Sequence, residues 1–398
     1  MTEHRSTANP ANLLWVVVAG ATILLVVHAL GRFIYTPLLP YLVGDGQLTA
    51  SDGASVATWN YLGYLIGALL AIRWYRPDQI RLTLPIAMTV HVITTLLQTQ
   101  VEPASWLSAL RLVNGIANGV VFVQAPALIL EWLVRRNRTS ASGLVYVGVG
   151  VGLLLSSFLV SGTADLLTGP ARWWPAALLS IPLAAWATWY LLKLDVPAGL
   201  QRDDGSFVDK GPLLDRASIP LFLSYAGAGL GYILPMTFLP LLTKTQLPEG
   251  HWLVDGSWLL VAVVTIPTPI IWSYLGSRVG DLRALRLIQF LGALAVIIWP
   301  DPRGIVLCAL LVGSTFVGTV LLTQRIGRAL HPHQGPRLSA ATVALYSVTQ
   351  MAGPWLTRQW LDAGGTLVGA FTLGAIALGW GLFFALFVPR AEDWHARR

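Results

Sequence analysis

Leu30-Gly31-Arg32-Phe33-Ile34-Tyr35-Thr36-Pro37-Leu38-Leu39-Pro40 returns in weakened form as Leu230-Gly231-Tyr232-Ile233-Leu234-Pro235-Met236-Thr237-Phe238-Leu239-Pro240, a shift of 200 positions in a chain of 398. Leu-Gly and Leu-Pro stand in register in both copies. A second echo pairs Arg138-Thr139-Ser140-Ala141-Ser142 with Arg337-Leu338-Ser339-Ala340-Ala341, shifted by 199. Two echoes at nearly half the chain length indicate one block of sequence joined head to tail with a copy of itself. The first echo lies in long apolar stretches, so the block is a set of membrane segments. That organisation is expected of secondary transporters, which hold solute between their halves. The copies differ at one telling place: Arg32 becomes Tyr232, so the first copy alone keeps a charge in mid-segment.

Composition agrees. Hydrophobic residues are 55% of the chain, charged residues 11%, and mean hydropathy is +0.64, whereas a soluble domain carries about 25% charged residues. Apolar runs of about 20 residues, enough to cross the hydrocarbon layer, recur throughout. Runs this long mean helices rather than barrel strands. The expected architecture is an all-α membrane protein. Its twelve transmembrane helices run at about 13–42, 53–73, 82–99, 105–132, 140–163, 173–194, 218–243, 256–276, 284–300, 304–326, 338–361 and 365–388. They form two six-helix pseudo-symmetric halves, 1–194 and 218–398. The linker, 195–217, is the one long polar stretch and holds Arg202, Asp203, Asp204, Asp209, Lys210, Asp215 and Arg216.

The net charge of +7 has a topological reading rather than a nucleic-acid one. With the N-terminus inside, 20 of the 26 Lys and Arg fall on cytoplasmic segments, among them Arg73, Arg76, Arg81, Arg135, Arg136 and Arg138. This bias expects both termini in the cytoplasm. No cleavable signal peptide is evident. The single cysteine, Cys308, lies in an apolar run and reads as a core residue. No P-loop, H-E-x-x-H, G-x-S-x-G or C-x-x-C occurs, so an enzyme is not expected, nor a cofactor or metal. The expected partners are a small-molecule substrate and membrane lipid, with no nucleic acid, and the chain is expected to act as a monomer.

Buried charge and polarity nominate the binding residues. An arginine in mid-membrane is costly and faces a cavity or a partner. His28 and Tyr35 stand at i−4 and i+3 from Arg32, which puts all three on one face of a regular helix. Arg111, Asn114 and Asn118 make a second polar stripe, with Gln124 deeper; Asn60, Tyr61 and Tyr64 lie on the second helix. From the second half come Tyr225, Tyr232, Tyr346 and Gln350. Asp and Glu are missing from mid-helix positions, so a small organic anion such as a carboxylate is the expected solute. His28 and His91 are the titratable groups available for proton coupling, and His28, beside Arg32, is the better placed. Two alternatives stay open: a broad exporter of apolar or zwitterionic compounds with Arg32 in a structural role, and a membrane sensor that binds without moving solute.

Arg111-x-x-x-Gly115 resembles the helix-four motif of the major facilitator superfamily. Leu275-Gly276-Ser277-Arg278-Val279-Gly280 resembles a degraded form of its loop motif, with Ser277 where an acid is expected; Gly67-Ala68-Leu69-Leu70-Ala71-Ile72-Arg73 is a poorer copy. The glycines Gly148, Gly150 and Gly152 lack the proline of the antiporter motif. Gly31 to Pro40 together with Asn60-Tyr61-Leu62-Gly63-Tyr64-Leu65-Ile66-Gly67-Ala68 is similar to the YbfB/YjiJ group of bacterial transporters. The resemblance implies a bacterial inner-membrane carrier and no settled substrate; the expected mode of action is alternating access.

Overall fold

The computed structural model describes residues 12–74, 76–196, 212–296, 301–331 and 335–396. The chain passes up and down as α1 (Leu13–Gly44), α2 (Ala50–Arg73), α3 (Pro77–Leu97), α4 (Ala104–Val134), α5 (Val147–Ser161) and α6 (Trp174–Leu192). After the linker come α7 (Ser218–Gln246), α8 in two pieces (Leu253–Thr265 and Thr268–Val279), α9 (Asp281–Val296), α10 (Pro302–Leu330), α11 (Gly335–Asp362) and α12 (Leu367–Ala385). Among the described residues nine helices are long and apolar enough to cross a membrane, or ten when α8 is one span. Most of the expected linker lies outside the described residues.

Three expected helices differ in detail. The stretch expected as helix from 140 begins as a 3₁₀ segment, Thr139–Tyr146, before α5 proper. Serines and Gly143 at its start are poor helix formers that favour tighter turns. The span expected at 256–276 is bent by 45°, because Pro267 and Pro269 each remove a backbone donor. The helix expected at 284–300 starts earlier, at Asp281, and 297–300 lie outside the described residues.

Glycine decides the closest packing. Cβ atoms at Gly63 and Gly67 on α2 would strike the carbonyls of Leu112 and Ile116 on α4, while those at Gly115 and Gly119 would strike the carbonyls of Asn60 and Tyr64 on α2. The two G-x-x-x-G motifs therefore interlock reciprocally. Such small-residue seams replace the hydrophobic driving force that lipid cannot supply.

The halves meet most firmly on one face, the face away from Leu13 and the end of α12, here termed distal. Thr36 donates to the Met236 carbonyl at 2.5 Å, joining equivalent positions of the two sequence echoes. Nearer the distal loops, Lys244 Nζ donates to the Pro40 carbonyl at 2.8 Å and the Tyr41 hydroxyl to Asp255 at 2.7 Å. Ser51 donates to Asp362 and Arg358 to Ser55. Among the described residues, the hydrogen bonds between halves lie from the mid-membrane to this face, which is sealed.

One distal loop is pinned within the first half. Arg172 grips Asp45 through Nε at 2.6 Å and an Nη at 2.9 Å, and the Gly169 amide adds a third bond at 2.6 Å. Hydrogen bonding from Arg172 holds the Asp45 carboxyl below its ordinary value, against an opposing push from burial. A depressed folded-state pKa means the stabilisation is present above about pH 4 and is lost as pH falls through the folded value. Asp45→Asn should therefore lower the melting temperature at neutral pH by the equivalent of about 1.5–3 kcal/mol. It should also blunt the parent's loss of stability in acid, readable by differential scanning fluorimetry from pH 3 to 8.

Candidate functional site

The site begins with a local irregularity in α1. Leu25–Phe33 is wound as a π-helix, and the Ile34 amide reaches five residues back to the Ala29 carbonyl at 2.8 Å. Pro37, one turn on, has no amide proton to give. Carbonyls in this stretch therefore need donors from elsewhere, and α4 supplies them. Arg111 donates to the Gly31 carbonyl and, at 3.0 Å, to that of Arg32; Asn118 donates to that of Val27. His91 fills the place a side chain at residue 31 would take, so Gly31 is required there. π-turns inside helices gather at functional sites.

Arg111 is thus a strut. Its guanidinium lies over Tyr35 and Trp173, 5.1 and 5.5 Å from their centroids. Arg111→Lys keeps the charge but loses the paired, planar donors. Its melting temperature should fall by several degrees, about 1.5–3 kcal/mol for the charged bonds lost, while the folded fraction keeps its ligand response.

Arg32 is differently placed. It is 2% exposed, and one Nη donates to Gln350 Oε1 at 2.5 Å, across the halves. Its Cζ lies 4.4 Å from the Tyr64 ring centroid and 4.5 Å from that of Tyr61. Desolvated cation–π contacts are each worth about 2 kcal/mol, set against a burial cost of several kcal/mol for a guanidinium. No ion pair among the described residues involves Arg32 or Arg111, and Arg32 Nε is buried without a partner. The centre of the bundle therefore holds two positive charges with neutral partners, and the Nε of Arg111, like that of Arg32, is an unfilled donor.

The π-winding breaks the face that a regular helix would give His28, Arg32 and Tyr35. Tyr35 turns away, donating to the Gly53 carbonyl at 2.9 Å and stacking on Trp173. His28 stacks on Phe122, centroids 4.3 Å apart, and sits 6.1 Å from the Tyr64 ring. Tyr64 thus touches both His28 and Arg32. Tyr61 bonds Thr237 of the second half at 2.8 Å.

Other nominated residues have structural partners. Asn60 donates to the Arg111 carbonyl, and Asn114 donates to the His91 carbonyl and to the Thr94 and Thr95 hydroxyls. Gln124 bonds the Trp74 carbonyl and Thr83, far from Arg32. Tyr232, the counterpart of Arg32, points to Gly292 and Thr319 within its own half. Tyr225 and Tyr346 stack at 4.7 Å, and Tyr346 is one turn from Gln350. Sequence reasoning missed Phe122 and Tyr146; Phe122 was findable as the residue four beyond Asn118 on the same stripe.

Two surface recesses lie elsewhere. One of about 410 Å³ is walled by Trp252, Pro302 and Arg303; one of about 490 Å³ lies among Asp52, Ser55, Ser108 and Arg358. Both are at the distal ends of helices and neither touches Arg32. Buried charge outweighs concavity in locating the site, because a solute moved between halves must meet both of them.

Two like halves, sealed on one face around a charged centre, are the working parts of a secondary transporter, and comparison with known proteins agrees. The family model described as "Uncharacterised MFS-type transporter YbfB" matches residues 24–388. The chain belongs to that family of the major facilitator superfamily: it moves a small solute across a membrane and is not an enzyme. Crystal structures of the nucleoside transporter NupG share the fold. One, of a single-site mutant, superposes with a TM-score of 0.67 at 16% identity, covering 94% of this chain and 98% of that one. Another gives 0.64 at 16% identity, with 94% and 97% covered. A search of curated proteins returns no match.

Proposed function

We propose that the solute is a small organic anion, with a carboxylate as the fitting group, held by Arg32 and passed between the halves by alternating access. Both termini would be cytoplasmic and the membrane the bacterial inner membrane, as the charge bias of the loops favours; the hydrogen bonds between the halves would then lie on the outer side. The observation that carries the reading is the buried Arg32 without a carboxylate. Gln350 Oε1 occupies a position suited to a solute oxygen, and Nε stands open beside it. His28 is the proton-coupling candidate. Its Nδ1 is buried without a partner, and the Tyr64 and Phe33 rings each lie against both His28 and Arg32.

The test is thermal stability of the purified carrier against monocarboxylates, their neutral amides and amines of equal size. A ligand specific to the folded state at a hundred times its Kd adds about 2.7 kcal/mol. Carboxylates should stabilise the parent and not Arg32→Gln, with amides and amines inert. Amines or amides that stabilise both proteins equally would refute the anion reading and favour broad export. In proteoliposomes, His28→Gln should abolish uptake driven by a pH gradient while leaving counterflow intact; gradient-driven uptake at the parental rate would remove His28 from the coupling.

A further inference from the structure

We infer that the transported anion carries a planar aromatic ring, making an aryl carboxylate the chemical class that the site fits. The inference rests on the anion reading above and narrows it. Around Arg32 the polar groups are few and the rings many. In the first half, Tyr64, Phe122 and His28 touch one another, with Tyr64 and Phe122 centroids 5.9 Å apart. Tyr146 continues the row, 6.3 Å from Phe122, and is 37% exposed. In the second half Tyr225 and Tyr346 form a parallel pair at 4.7 Å and 24°. The Arg32–Gln350 bond brings these two groups to the same boundary: Tyr64 lies against the Arg32 guanidinium, 4.4 Å from its Cζ, and Tyr346 stands one helical turn from Gln350.

An aromatic group thus stands in each half beside the Arg32–Gln350 contact, and Arg32 Nε is left without a partner there. A branched or linear aliphatic acid needs no such walls; Leu and Val would serve it. Rings reward a flat, polarisable partner through offset and edge-on stacking beyond the gain from burial. The rings of Tyr61 and Tyr64 lie over the Arg32 guanidinium, so its edge nitrogens are left for a carboxylate, the arrangement in which arginine binds such groups in their own plane. A carboxylate conjugated to a ring keeps that plane continuous with the ring between the walls.

The experiment titrates the intact carrier in detergent with benzoate, cyclohexanecarboxylate, hexanoate and benzamide. Benzoate and cyclohexanecarboxylate match in charge and nearly in size, and differ in flatness. Two stacking contacts predict about a tenfold preference or more for benzoate. Tyr346→Leu and Phe122→Leu should each erode that preference, and a parental size-exclusion profile and melting transition for each variant show that it is folded. Equal affinity for benzoate and cyclohexanecarboxylate would overturn the inference and leave the anion reading standing. Benzamide binding as tightly as benzoate would keep the aromatic walls and sink the anion reading. Failure of every carboxylate to bind would end both.

Discussion

Gln350→Glu should stop solute movement and at the same time make the protein harder to melt. In the parent, Gln350 on α11 accepts from Arg32 on α1 at 2.5 Å, among the described residues the one hydrogen bond by which the second half holds that charge. An amide oxygen satisfies the donor without cancelling the charge, so an incoming carboxylate can displace it. A glutamate at the same place would cancel it. At the effective dielectric of protein sites, opposite charges 4 Å apart attract by about 4 kcal/mol, and a tethered partner does not dissociate. The variant should melt several degrees above the parent, lose the stabilisation given by carboxylates, and show uptake at background in proteoliposomes. Gln350→Ala, by contrast, removes a competitor and should bind carboxylates at least as tightly as the parent. Uptake persisting in Gln350→Glu would show that Arg32 does not meet the solute.

Gly67→Val should prevent the first half from assembling. Its Cβ would fall on the Ile116 carbonyl, which is helix backbone and cannot rotate aside as a side chain would. Relief requires α2 and α4 to move apart. That would break the seam at Gly63, Gly115 and Gly119 too, and pull Asn60 from the Arg111 carbonyl. Overpacking in a core that can relax costs about 1–3 kcal/mol; here four contacts fail together and the loss should exceed that range. Size-exclusion profiles of detergent extracts should show aggregate in place of the parent peak. The control is Gly46→Ala, in an open loop with nothing near its Cβ, which should cost no more than the strain of its positive φ, about 1 kcal/mol. A monodisperse, transport-active Gly67→Val would refute the account of the seam.

The fold was legible because its signals are long. Apolar runs of membrane length, the echo of Leu30–Pro40 in Leu230–Pro240 and the motifs near Arg111 and Gly63 survive small errors in register. The neighbourhood of Arg32 was legible only in part, because it depends on a few degrees of helix rotation. A face drawn with 3.6 residues per turn puts Tyr35 beside Arg32, whereas π-winding over Leu25–Phe33 sends Tyr35 to Gly53 and Trp173. Nothing in the residue types of that stretch announces the wider turn; Arg111, Asn118 and His91, all distant in sequence, stabilise it. Gln124 was misleading for another reason: a polar residue deep in an apolar helix signals a partner without saying whether that partner is solute or, as here, the Trp74 carbonyl.

The interior holds two guanidiniums, and among the described residues the mid-membrane parts of the helices hold no acid. In electrical terms the empty carrier has fixed positive charge inside the membrane field, and a monoanion bound as proposed would remove one unit of it. The potential therefore acts with different force on the empty and the loaded protein. A full elementary charge carried through 100 mV is worth about 2.3 kcal/mol, so even a fractional displacement alters the turnover rate. Which limb of the cycle speeds up with voltage, the return of the empty carrier or the passage of the loaded one, follows from the sign left uncompensated at Arg32.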